Sequence, residues 1–211
     1  PSSTVERPTP TTKSEPAAVE YEVTRIPESF SEVTVTVENF VAENNLNGAG
    51  LIVVDRDHGV RYHNHWGEFS TARISLIAST SKVISAGVLV HLHDRGLLDL
   101  EAPIGDVVDY AGRLSDITAA QLLSGSSGIP GLRADDPLYV CMFLPTSSLQ
   151  ECAIEGLSVA ASDPRTVPPD TEFRYGGIQL QIAGAVAEIA SGKSWADLLD
   201  EIYVGPCGLK S

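Results

Sequence analysis

Residues 78–96, ASTSKVISAGVLVHLHDRG, constrain the fold more than any other stretch of this chain. Val83, Ile84, Ala86, Val88, Leu89, Val90 and Leu92 leave almost no polar face, so the run reads as a helix buried on most sides. Ser79 begins it as a helix-starting residue type, and Gly96 ends it.

Upstream, Phe30 to Asn44 places Val33, Val37, Phe40 and Val41 on one helical face, with Asn47-Gly48 marking the exit. Two strands are expected next, Ala49–Asp55 and Val60–Trp66, joined by a turn at Asp57-His58-Gly59. Everything after residue 96 reads as loop or helix. Short helices are expected within Leu97–Val108 and over Ile117–Ser124, the latter with Thr118 as N-cap. Gly125 to Gly131 is a loop by composition, Leu149–Ala161 is helical, and Asp163–Thr171 is a Pro-rich connection. Ile182, Ala183, Val186 and Ile189 are spaced for one face of a helix over Ile178–Ser191, and Trp195–Tyr203 reads as a shorter amphipathic helix. A two-strand hairpin is too little sheet to be stable or to cover so many helices.

Composition narrows the function classes. A net charge of −14 and a pI near 4.6 argue against nucleic acid or anionic membrane as partner. No apolar run reaches the length of a membrane span. The opening PSSTVERPTPTTKSEPAAVE has almost nothing to bury and reads as a flexible tether, ending near residue 25. Such tethers commonly follow a cleaved export signal or a lipid-modified N-terminus, although an ordinary frayed terminus reads equally well. The expectation is an extracellular or periplasmic protein. Cys141 and Cys152 flank a short segment, and a local disulfide between them would suit export. Cys207 is then either buried and free or paired outside the chain, and three reduced core cysteines are the alternative.

Chemistry concentrates at Ser79 and Lys82. A serine hydroxyl attacks poorly unless a neighbouring base removes its proton. Three residues along a helix return to the same face, so Lys82 falls within reach of Ser79. Burial in an apolar helix would favour the neutral amine, and the helix N-terminus would favour a developing oxyanion. With four lysines in the chain, Ser-x-x-Lys alone is a weak signal.

The surroundings make it specific. IASTSKVISAGVLVHLHDRGLLDLEAPIGDVV, then ITAAQLLSGSSGIP, then DTEFRYGGIQLQIAGAVAEIASGKSWADLLDEIYVGPCGLKS occur in this order. They resemble successive blocks of the serine β-lactamase and penicillin-binding-protein superfamily, particularly its class C β-lactamase, D,D-carboxypeptidase and family VIII esterase branches. The resemblance covers most of residues 72–211. It implies an α+β fold of the β-lactamase/transpeptidase type, with an antiparallel sheet flanked by helices. The hydrolase domain would start at residue 26 and include a mostly helical subdomain at about 97–172.

Carried over residue by residue, it makes Ser79 the acylated nucleophile, Lys82 its base and Tyr175 the residue that passes the proton to the leaving group. A phenol beside a lysine ammonium suits that exchange. Two departures follow. Gly125 stands where a histidine is usual, and Gly177 stands where the family often has an asparagine that holds a substrate amide. The absence of that asparagine weakens the case for β-lactam or peptide turnover and leaves ester hydrolysis open, since an ester has no amide proton to satisfy. The third family motif, on a C-terminal strand, would lie beyond Ser211, so the missing strands are expected on a second polypeptide or a downstream segment.

The resemblance thus implies a serine hydrolase acting through an acyl-enzyme on a small-molecule ester or amide, with no metal or organic cofactor. The alternatives are a D,D-carboxypeptidase or β-lactamase and, from another class, a non-catalytic relative that binds or assembles. Other motifs carry less. Gly192-Lys193-Ser194 lacks the upstream glycine of a phosphate loop, since Ala187 occupies that position. His63 and His65 share a strand face without a nearby third metal ligand, and His91 and His93 fall on different helix faces. Trp66 and Trp195 read as core or rim aromatics.

Overall fold

Alternating apolar residues and a tight polar turn form the expected hairpin near the start of the chain. In the computed structural model, which describes residues 30–132 and 148–209, β1 (Gly48–Asp55) pairs antiparallel with β2 (Gly59–Gly67). The expected tether and Cys141 lie outside the described residues. The Asp55 carboxylate accepts from the backbone N–H groups of Asp57 and His58 at 2.7 and 3.0 Å, closing the turn. The register shifts between Val53 and Val54, a bulge that increases local twist. These are the only two strands paired in a sheet among the described residues.

Residues 1–76 form one unit and residues 77–211 a second, and each is described by itself. In the first, α1 (Ser31–Glu43) lies against the hairpin. Phe30 stacks on Tyr62 with ring centroids 5.2 Å apart, and the Thr34 hydroxyl is 2.8 Å from the Tyr62 hydroxyl. Tyr62 is buried, so its polar tip has the partner that burial demands.

The second unit is helical. In chain order come α2 (Ser81–Asp94), α3 (Ala119–Ser124), α4 (Leu149–Ser162), α5 (Ile178–Ser191), α6 (Trp195–Leu199) and α7 (Gly205–Cys207). Helix α5 is the hub, packing against α2, α3, α4 and α6. Its Ile178, Ile182 and Val186 are buried with Leu89 of α2, Leu122 of α3 and Leu157 of α4. Two capping boxes start their helices as sequence rules predict. Thr118 and Gln121 cap α3, and Ser148 and Glu151 cap α4, each pair satisfying two otherwise free backbone donors. Cys152 on α4 is buried and disulfide-bonded, whereas Cys207 is free and exposed, which removes the buried alternative for it.

Three expectations need correcting. Helix α2 is not buried on most sides: Val88, Leu89 and Leu92 are buried, but Val83 is 74% exposed, and Ile84 and Val90 are exposed as well. A helix apolar all round does not reveal which side meets a neighbour, and only one side of α2 meets α5. Nor does α2 start at Ser79. Ala78–Thr80 form a 3-10 turn, and the α-helix begins at Ser81. Finally, the helix expected over Trp195–Tyr203 gives way at Asp200–Val204 to a π-helical turn. That turn carries Tyr203, whose hydroxyl donates to the Ile84 carbonyl at 3.0 Å. A side chain at Gly87 would collide with this hydroxyl at 2.0 Å, so the glycine is what lets the last helical segment close on α2.

Candidate active site

The 3-10 turn sets the position of Ser79. Ala78 adopts φ +43°, a left-handed conformation that a residue with a Cβ rarely holds, and Ser79 follows directly at the entrance to α2. Ser79 is exposed. One turn on, the Lys82 ammonium donates to Ser79 Oγ at 3.2 Å, as the three-residue spacing predicts. Lys82 is half-buried and not enclosed, because the exposed side of α2 lies beside it.

Tyr175 arrives from the segment that leads into α5. Its backbone carbonyl accepts from Leu132 N at 2.6 Å, and Arg174 N donates to the Gly125 carbonyl at 2.7 Å. Two stretches distant in sequence are thereby paired. The Lys82 ammonium sits 4.8 Å from the centre of the Tyr175 ring. A hydrogen bond with Ser79, then one with Lys82 and the lysine's charge, hold the Tyr175 phenol below its ordinary pKa of 10.0. So the three residues singled out from sequence lie together within one unit of the fold.

The two glycine departures have different structural meanings. Gly177 is the N-cap of α5, and its carbonyl accepts from Leu180 N at 3.0 Å. It does not line the adjoining cleft, whereas its neighbour Gly176 does. Gly125 ends α3 at φ +74°, and a Cβ there would meet the Phe173 ring at 2.9 Å and the Arg174 carbonyl at 3.1 Å. A histidine at this position is incompatible with Phe173 where it lies.

The cleft holds about 170 Å³ beside Lys82 and Tyr175. Sequence reasoning missed the polar residues Ser124, Arg174 and Gln179 in its lining, of which Gln179 is the buried one. Gln179 is 1% exposed, and its Nε2 donates weakly to the carbonyls of Ile129 and Arg174 at 3.4 and 3.3 Å. Its Oε1 is buried without a hydrogen-bond partner among the described residues. The signal was available, because Gln179 falls on the same helical face as Ile182, Ala183 and Val186. A polar residue on a core face holds something in place.

His63 and His65 do lie together, their rings edge to face with centroids 4.6 Å apart. Among the described residues no group of three His, Cys, Asp or Glu side chains could hold a metal ion. No helix among them is long and apolar enough to cross a membrane.

This chain belongs to the β-lactamase family, whose sequence model matches residues 33–211. It is 29% identical over 178 residues to penicillin-binding protein 4 of Amycolatopsis lactamdurans, covering 79% of this chain and 44% of that protein. Among solved structures it is similar to a candidate β-lactamase from Bacteroides dorei DSM 17855, with a TM-score of 0.69 and 27% identity. That match covers 85% of this chain and 52% of the other. The octameric penicillin-binding protein homologue from Pyrococcus abyssi, at 21% identity, shares the fold with a TM-score of 0.66 over 84% of this chain and 42% of its own. The chain thus spans about half the length of the relatives it matches.

Proposed function

We propose that this protein is a serine hydrolase that works through an acyl-enzyme, with Ser79 as nucleophile, Lys82 as base and Tyr175 as proton carrier. The observation that carries the reading is the 3.2 Å contact from Lys82 Nζ to Ser79 Oγ beside a phenol made more acidic by both. In the first half-reaction Lys82, in its neutral amine form, accepts the Ser79 proton and becomes the ammonium while Oγ bonds to the substrate carbonyl carbon. The tetrahedral intermediate then breaks its bond to the leaving oxygen or nitrogen, which takes a proton through Tyr175. Water attacks the acyl-serine in the second half-reaction, releasing the acid and restoring Ser79.

Ester hydrolysis stays open and amide hydrolysis has less support, because Gly177 stands where the family often has an amide-holding asparagine. A second reading, turnover of β-lactam or peptidoglycan-type amides, draws support from the similarity to penicillin-binding protein 4. An extracellular or periplasmic location suits either activity. The rest of the site wall would come from a second polypeptide or a downstream segment, since the relatives are about twice as long.

Labelling with a fluorophosphonate and with a fluorescent penicillin, followed by peptide mapping, tests the proposal. An adduct at Ser79 from the phosphonate alone supports an esterase, and one from both supports the β-lactam reading. No Ser79 adduct from either probe defeats catalysis through this residue.

A further inference from the structure

The cleft beside the Ser79 cluster is more apolar than acyl transfer itself requires. Leu122, Leu123, Phe173 and Leu180 wall it, and Lys82 and Tyr175 border it, whereas Ser79 does not. A group lodged there therefore lies on the side of the nucleophile where the proton is passed on. Most donors of the polar side chains in the lining are occupied with the protein itself, while Gln179 Oε1 has no partner among the described residues. Arg174 donates to the carbonyls of Arg165 and Gly128 and pairs with Glu172, and Gln179 Nε2 donates to Ile129 and Arg174. Apart from Gln179 Oε1 and the Lys82 and Tyr175 groups at its border, the walls offer a ligand mainly hydrocarbon.

Size gives a second constraint. An apolar cavity of about 150 Å³ accommodates benzene, and this cleft holds about 170 Å³. Its shape depends on Gly125, since any side chain there would displace the Phe173 ring from the wall. The glycine is thus more than a lost histidine: it makes room for the aromatic wall.

We propose that this cleft is a leaving-group pocket, selecting substrates whose departing alcohol or amine carries one apolar group the size of a single ring. The inference rests on the catalytic reading above. For a benzyl ester, the acyl C–O bond would break, the serine proton would reach the departing oxygen through Lys82 and Tyr175, and benzyl alcohol would be released from the cleft.

The test compares kcat/KM of the protein for methyl, benzyl and 2-naphthylmethyl acetate, with Ser79 labelling by a fluorophosphonate in parallel. Methanol and benzyl alcohol have similar acidity, so their difference reports binding of the ring. Benzyl acetate is expected to be roughly ten- to hundredfold better than methyl acetate, with the naphthyl ester falling back. Leu123→Trp, which fills the cleft, should bring the benzyl-to-methyl ratio close to one. Phe173→Ala, at a position 71% exposed, should instead admit the naphthyl ester. Equal rates for methyl and benzyl esters with Ser79 still labelled, or selectivity that follows the acyl chain, would overturn the pocket while leaving the catalytic reading intact. Absence of both labelling and turnover overturns the two together.

Discussion

Helices α2 and α5 each run for 14 residues, and both are rich in aliphatic side chains, yet the fold uses them in opposite ways. Helix α5 buries eight of its residues and organises the core, whereas α2 buries three and leaves Val83, Ile84 and Val90 exposed. The candidate nucleophile and base sit at the start of the exposed helix, and Tyr175 enters just ahead of the buried one. The contrast separates two demands. A reacting serine must be reachable, while the tyrosine beside it must be held still, and α5 with its packed face supplies the anchor.

The largest expected effects fall on the exposed side and leave the core untouched. Lys82→Met and Tyr175→Phe should each lower kcat/KM by about 10²- to 10⁴-fold, with the thermal midpoint little changed. The pH profile sharpens this. Because the folded environment lowers the Tyr175 pKa, phenolate forms below pH 10.0, and a tyrosine-dependent limb in kcat/KM should have its inflection there. Tyr175→Phe should remove that limb. A profile identical in wild type and variant would exclude Tyr175 from proton transfer.

On the buried side the same size of change should register as stability instead. Ile182 on α5 is fully buried, and Ile182→Ala should cost about 2–4 kcal/mol through lost transfer free energy and the cavity left behind. Denaturant unfolding measures it. A cost below about 1 kcal/mol would mean that α5 is not the hub of the core.

How legible this was in the sequence follows the same division. The bounds of α5 could be read because Ile182, Ala183 and Val186 mark one face and Gly192 ends the helix at φ +68°. Thr118 announced its helix by capping chemistry, which acts over three residues and needs no tertiary information. The reacting groups could be read because few residue types carry such chemistry and the spacing of Ser79 and Lys82 is local. The exposure of α2 could not, since apolar residues all round look the same whether or not a neighbour covers them. Nor could the fit of Phe173 to Gly125, a contact between two loops that only the fold brings together. The π-helical turn at Asp200–Val204 carries the Tyr203 hydroxyl to the Ile84 carbonyl of α2, a tertiary contact that local patterning does not show.

A smaller effect concerns the connection between α4 and the tyrosine segment. The Asp163 side chain is only 8% exposed, and hydrogen bonding to Arg165 lowers its pKa from 3.8 to about 2. The folded state thus binds this proton less readily than the unfolded chain, so the pair's contribution is complete above the unfolded pKa. It is lost as the pH falls from about 4 through 2. Asp163→Asn should remove about 1 kcal/mol at neutral pH, discounted because Arg165 is partly solvated, and flatten the acid limb of stability. Identical stability profiles between pH 5 and 2 would show that the pair is neutral.

The smallest expected effect bears most directly on the two helices. Val83 lies on α2 close to Lys82, and its exposure means that its methyl groups have little to lose. Val83→Ser in this chain should shift stability by less than about 0.5 kcal/mol, as surface substitutions do. The outcome discriminates if the second polypeptide or downstream segment proposed above is supplied. Should it cover this side of α2, the same substitution buries a hydroxyl and loses two packed methyl groups, costing about 1–3 kcal/mol. A cost that appears only with that segment present would make the exposed face of α2 its docking face. Equal, negligible costs in both would mean that α2 stays open to solvent, leaving Ser79 and Lys82 at an unroofed site.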